Sequence, residues 1–282
     1  MSPPLTGWQR LVQHRAALCA LGLLTLIVLA LLIGPALSPH AVDSIDFDGD
    51  WATGPSAVNA HWFGTDSLGR DVFVRTLEGG RISVAVAFAA TLVSLLIGVS
   101  YGAIAGYFGG ALDAAMMRAV DILYALPFLF LVILLMVLFG RDLVLVFVAI
   151  GAINWLDMAR VVRAQTMALK SQEFVRAART HGLSDGAILW RHILPNLLGV
   201  VMVTVTLTIP QVILTESFLS FLGLGVQEPA TSWGTLINEG AREMEATPWA
   251  LLFPAGCMAL TLLCFNLLGD ALRDVLDPKG PP

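Results

Sequence analysis

Apolar residues dominate six stretches of this chain, at about 16–37, 82–108, 121–139, 143–159, 197–222 and 249–269, with polar residues collected between them. A helix rises about 1.5 Å per residue, so roughly 20 apolar residues cross a bilayer core. The pattern predicts an all-α polytopic membrane protein with six transmembrane helices. The fourth stretch is short and the fifth contains Pro210, which leaves their edges open. The first could be a cleaved secretory signal, since "ALS" before Pro39 imitates a cleavage site. Its 22 residues exceed a signal core of about 7–15, and a retained helix is the expectation.

An even number of spans puts both termini on one side. If that side is cytoplasmic, it holds Arg10, Arg15, Arg118, Arg160, Arg163, Lys170, Arg176, Arg179, Arg191, Arg273 and Lys279. The other side holds Arg70, Arg75, Arg81, Arg141 and Arg242. Cytoplasmic loops of membrane proteins are enriched in Lys and Arg, so this imbalance orients the chain with both termini inside. It then divides into a cytoplasmic tail (1–15), a first helix (16–37), an external loop (38–81), a five-helix core (82–269) and a cytoplasmic tail (270–282). The core includes a cytoplasmic loop at 160–196 and an external loop at 223–248.

Composition agrees. Hydrophobic residues make up 57% of the chain and charged ones 13%, against about 25% charged in a soluble domain. A net charge of −5 argues against nucleic acid. Cys19, Cys257 and Cys264 lie inside apolar runs, with neither a disulfide framework nor metal-ligand spacing. All five histidines lie outside those runs, which removes most general-base or metal chemistry from membrane depth. No G-x-x-x-x-G-K-[ST] phosphate cradle is present, and neither an H-E-x-x-H nor a G-x-S-x-G nucleophile elbow is expected.

The external loops are acidic and rich in turn formers. Residues 38–80 contain "DSIDFDGD" and "HWFGTDSLGRD", while Glu228, Glu239, Glu243 and Glu245 face a single Arg242 in 223–248. A docking surface and a solvated connection are both open readings. In the second span Ser94, Gly98, Gly102, Gly106 and Gly110 recur every fourth residue, a groove that lets another backbone approach closely. Glu216 is an acid near membrane depth, and such a carboxylate is costly unless it faces water or a partner. It could line a solute path or hold a helix end. Asp121 and Asp157 lie near cytoplasmic span ends, where solvation or a salt bridge accounts for them.

The cytoplasmic loop is not a featureless linker. From Arg160 to Asn196 six cations face only Glu173 and Asp185. Ser171 can cap a helix with Glu173 in its first turn, where the helix dipole favours an anion. Phe174, Ala177, Ala178 and His181 fall on one face of that helix, and Gly182 stops it. Ser184 can cap a second helix bearing Ile188, Leu189 and His192, and Pro195 ends the segment. Two short helices with a sharp bend make a knob suited to docking into another protein.

That segment resembles the cytoplasmic EAA loop of ABC importer permeases, E-A-A-x3-G-x9-I-x-L-P. It reads Arg176-Ala177-Ala178, then Gly182, then Leu194-Pro195 at the family spacing. Arg176 stands where a Glu is usual and His192 where an Ile is; Glu173, one turn earlier, could replace the missing carboxylate. "FGTDSLGRDVFVR", "GYFGGALDAAMMRAVDIL", "WLDMARVVR", "ESFLSFLGLGVQEPATSWG" and "GDALRDVLDPK" extend the resemblance to the oligopeptide, dipeptide and nickel branch of these permeases. "WLDMAR", "QEP" and "LLFPAG" favour the C-type membrane subunits of oligopeptide permeases.

The resemblance implies the type I importer permease fold in a bacterial inner membrane. It implies a second homologous permease subunit, two ABC ATPase subunits that bind ATP and Mg, and an external solute-binding protein. It implies no cofactor or catalytic residue in this chain. Coupling would fall to Glu173, Ala177, Ala178, Gly182, Leu183 and Ser184. Dipeptides, nickel or a metal–chelate are alternative cargoes. An intramembrane enzyme would need a base that no membrane-depth histidine supplies, and a self-contained channel would not need the bent knob.

Overall fold

The computed structural model describes residues 14–45, 51–139, 143–228 and 230–276. Arg10, Arg141, Lys279, most of the N-terminal tail and residues 277–282 lie outside them. The helices in chain order are α1 (Arg15–Leu37), α2 (Val72–Phe108), α3 (Gly110–Tyr124), α4 (Phe128–Phe139), α5 (Leu143–Lys170), α6 (Glu173–Thr180) and α7 (Asp185–Ile188). A π-turn at Leu189–Ile193 then leads into α8 (Leu194–Phe221), followed by α9 (Trp233–Arg242) and α10 (Pro248–Leu276). Among the described residues the only β pairing is an isolated bridge between Thr65 and Asp71.

All six apolar stretches are helical, but not all as single spans. Among the described residues four runs are long and apolar enough to cross a membrane: α1, α2, Asp185–Phe221 and α10. The bent pair α3–α4 makes a fifth where it is taken as one span. The fourth expected stretch lies in α5, which runs eleven residues past it to Lys170. The expected span 121–139 is therefore corrected to a broken element, bent by 78° between Tyr124 and Phe128. Pro127 explains the break, because its ring disfavours helical backbone at Leu126 and it has no N–H to donate. The twelve residues of α4 cover about 18 Å, short of a core of about 30 Å.

The second span starts ten residues earlier than its apolar pattern, because Asp71 caps α2 by accepting the Val74 N–H at 2.8 Å. Pro195 does not end the cytoplasmic segment. It lies in the first turn of α8, and the preceding π-turn, where Leu194 N–H bonds the Leu189 carbonyl, widens the helix at the proline. An extra residue in the turn relieves the ring clash that an α-helical register would impose.

Two buried apolar clusters organise the packing. One gathers Leu77, Val86, Val132, Ile213, Leu219, Trp233 and Phe265. The other gathers Tyr107, Met158, Val162, Val175, Ile188, Ile193 and Leu197. At the second cluster α2 lies directly on α5. A Cβ on Gly98 would stand 2.6 Å from Met158 Cβ, and one on Gly106 would stand 2.6 Å from the Arg163 carbonyl. At Gly102 the Ala159 carbonyl occupies the same space. Gly110 is not part of this groove: with φ +61° it opens α3 and meets nothing within 4 Å.

Candidate functional site

The knob is built by local chain chemistry. Gln172, not Ser171, is the N-cap of α6, and it makes no side-chain cap bond; the Ser171 hydroxyl donates back to the Ala168 carbonyl at 2.8 Å. At the other end Gly182 has φ +79°, the left-handed conformation. Its N–H bonds the Arg179 carbonyl at 2.9 Å, and Leu183 N–H bonds the Ala178 carbonyl at 3.2 Å. This paired reverse bonding is a Schellman stop, and it sets the bend. Ser184 then caps α7, its Oγ accepting the Ala187 N–H at 3.4 Å.

The apolar face expected for docking is exposed at Phe174, Ala177 and His181, but Ala178 is corrected: with Val175 it is buried against Ile188 and Ile193. Val175, which the pattern does not select, anchors the helix. The knob therefore presents Glu173, Phe174, Ala177 and Gly182 outward, with Leu183 half-buried. Arg176 is exposed beside Glu173 on the same helix. Tyr107 at the end of α2 donates to Asp185 at 2.7 Å, and Arg163 grips Asp113 with two bonds of 2.5 and 2.6 Å. Neither pair was singled out in the sequence; Tyr107 carries no charge-pattern signal.

Further along α8, Glu216 is fully enclosed. It accepts hydrogen bonds from Ser83 at 2.9 Å and Ser220 at 2.7 Å, with Ser217 at 3.5 Å. Ser83 in turn accepts the Trp233 N–H at 3.2 Å, and Ser220 accepts from Ser232 at 3.2 Å. Trp233 is completely buried and its indole N–H donates to the Thr76 carbonyl at 2.9 Å. Through these hydroxyls the carboxylate fastens the start of α9 to α2 and α8.

The far end of α9 is fixed by charges. Arg75, 4% exposed, reaches Asp66 at 2.6 Å and Glu239 at 3.0 Å. Arg70 reaches Asp66 at 2.7 Å, Glu228 at 2.9 Å and Glu239 at 3.5 Å. Burial works against the Arg70 charge, but Asp66, Glu228 and Glu239 together raise its pKa above the ordinary value. These groups line an outer cleft of about 260 Å³.

Two other arrangements could pass for chemistry. His40, His61 and Asp71 come together, with His61 Nδ1 2.8 Å from Asp71. The imidazoles stack at 4.0 Å and 19°, which sends their in-plane lone pairs along nearly parallel lines, not toward one ion. Gly98-Val99-Ser100-Tyr101-Gly102 does have the G-x-S-x-G spacing, against expectation. It lies inside α2, with Ser100 donating to the Leu96 and Ile97 carbonyls, and not at the strand-to-helix turn an elbow requires.

Residues 98–279 match the family model described as the binding-protein-dependent transport system inner membrane component. The chain belongs to that family. Residues 5–55 match a second model, the N-terminal transmembrane domain of oligopeptide transport permease C. Oligopeptide transport system permease protein OppC of Escherichia coli (strain K12) is 52% identical over 279 residues, covering 96% of this chain and 91% of that protein. OppC of Haemophilus influenzae is 49% identical over 96% of this chain and 88% of its own. Dipeptide transport system permease protein DppC of Bacillus subtilis is 47% identical over 97% and 85%. As a binding-protein-dependent permease component, the chain has the all-helical type I ABC permease fold and is a multi-pass membrane protein.

Proposed function

We propose that this chain is the C-type membrane subunit of an ATP-driven oligopeptide importer. With a second, homologous permease subunit it forms half of the translocation pathway. Two ABC ATPase subunits bind and hydrolyse ATP with Mg, and an external binding protein delivers the peptide. Both termini face the cytoplasm of a bacterial inner membrane, with the Lys- and Arg-rich loops. The chain contributes no catalytic residue and no cofactor of its own.

The observation that carries this reading is the bent knob. Its apolar side is buried against the span bundle, while Glu173, Phe174 and Ala177 face outward beside a Schellman-bent Gly182. A chain without a phosphate cradle needs such a surface to receive mechanical work from another protein. Oligopeptide is favoured as cargo by relatives that are oligopeptide transport permeases, near half identity across nearly the whole chain. Dipeptides are the second reading, supported by the Bacillus subtilis relative.

The test is reconstitution in proteoliposomes with and without the partner permease, ATPase and binding subunits. The complete set should accumulate a labelled tri- to pentapeptide only with ATP. Accumulation by this chain alone would overturn the reading.

A further inference from the structure

The knob meets the span bundle at one aromatic side chain. Tyr107 lies in the last turn of α2, is 1% exposed, and donates its hydroxyl to Asp185 at 2.7 Å. Asp185 is the first residue of α7, directly after the Ser184 cap. Arg179 of α6 lies 5.5 Å from the same ring centre and Lys170, the last residue of α5, 5.6 Å. One side chain on α2 therefore touches both short helices of the knob and the end of α5. The rest of the knob's attachment is apolar, through Val175, Ala178, Ile188 and Ile193. Apolar contact is non-directional and permits sliding. A hydrogen bond to a carboxylate is short and directional, so it fixes the angle between α7 and α2. Sliding of α2 itself on α5 is blocked by the close backbone contacts at Gly98, Gly102 and Gly106.

We propose that Tyr107 is a positioning residue for energy coupling: through Asp185 it ties movement of the knob to the α2–α5 pair. This rests on the reading of the chain as an ATP-driven permease. Without the bond the knob still follows the ATPases, but the spans follow the knob less faithfully. ATP hydrolysis then continues with less transport.

The experiment uses the complete transporter, with both permeases, two ATPase subunits and the binding protein, in phosphatidylethanolamine–phosphatidylglycerol vesicles. The quantity measured is labelled tripeptide imported per ATP hydrolysed, normalised to assembled complex. Tyr107→Phe keeps the ring and deletes the hydroxyl, and the ratio should fall about tenfold, the scale of one hydrogen bond to a charged group. Asp185→Asn retains an acceptor oxygen but loses the charge, so its ratio should fall between wild type and Tyr107→Phe, whereas Asp185→Ala should match Tyr107→Phe. The double variant Tyr107→Phe with Asp185→Ala should be no worse than either single one, because both remove the same bond. A purely structural role would reduce the yield and melting temperature of the complex while leaving the ratio alone. An unchanged ratio in Tyr107→Phe, or losses that multiply in the double variant, overturns the proposal. Should Tyr107→Phe fail to assemble, equal ratios for Asp185→Asn and Asp185→Ala overturn it as well. A wild-type complex that imports no peptide overturns the functional reading instead.

Discussion

A single methyl group on the face of α2 that meets α5 tests whether the small residues there set the distance between the two helices. At Gly98 the new Cβ would stand 2.6 Å from Met158 Cβ and 2.9 Å from the Trp155 carbonyl. At Gly106 it would stand 2.6 Å from the Arg163 carbonyl and 2.9 Å from Thr166 Cβ. Carbon atoms rest at about 3.5–4.0 Å, so each site is short by roughly 1 Å. The obstructing atoms are backbone or next to it and cannot swing aside; α5 must shift. Overpacking of this kind costs about 1–3 kcal/mol. Alanine's better helix propensity returns about 0.5–1 kcal/mol, leaving Gly98→Ala about 1–2 kcal/mol destabilised. Gly22 on α1 is the control, because nothing lies within 4 Å of a Cβ there; Gly22→Ala should be neutral or slightly stabilising. The double variant Gly98→Ala with Gly106→Ala should lose less than the sum, since one displacement of α5 relieves both clashes. Tryptophan fluorescence during thermal unfolding in detergent should place Gly98→Ala about 2–6 °C below the parent. Equal melting temperatures for Gly98→Ala and Gly22→Ala would refute the close-packing argument.

Three further outcomes follow from the same geometry. Gly182→Val meets no neighbour but must hold φ +79°, so it should strain the bend by about 1–2 kcal/mol and weaken ATPase stimulation by loaded binding protein while leaving membrane insertion intact; normal stimulation and uptake would contradict this. Glu216→Gln replaces one acceptor oxygen with a donor, depriving either Ser83 or Ser220 of its acceptor, and should cost about 1–2 kcal/mol without changing import per assembled complex; import lost at full stability would give the carboxylate the pathway role. Arg75→Ala leaves Asp66 and Glu239 with Arg70 alone and should cost about 3 kcal/mol, read as a lower denaturant midpoint; a midpoint within error of wild type would remove the network from the account of α9.

Apolar runs revealed the class and the apolar segments, because burial in lipid writes directly into composition. Gly182 and Ser184 were legible for the same reason, since a left-handed stop and an N-cap depend on the residue itself. The burial of Ala178 was not, because it packs with Val175 on Ile188 and Ile193, which arrive only after the chain bends. Pro127 lay inside an apolar run and was passed over as part of a span, although its missing N–H breaks the helix there. The Tyr107–Asp185 bond joins residues 78 positions apart, and no local pattern specifies such a partner. Glu216 was visible as an anomaly, but its hydroxyl cage comes from α2, α8 and the start of α9, so its role needed the tertiary structure.

These contacts make α2 the element that unites the two sides of the protein. Its 37 residues span about 55 Å, well beyond a bilayer core of about 30 Å. Near its N-terminal end Thr76 and Ser83 hold Trp233 and Glu216, and so the start of α9. At its C-terminal end Tyr107 holds the knob. Over its last third, the contacts of Gly98, Gly102 and Gly106 with α5 are too close to permit independent bending. Packed elements of this kind move between discrete arrangements as rigid bodies, because small deformations cost contact without gaining any. A change at α9 and a change at the knob therefore act on one body, and the same helix that resists bending can carry either change to the opposite side of the membrane.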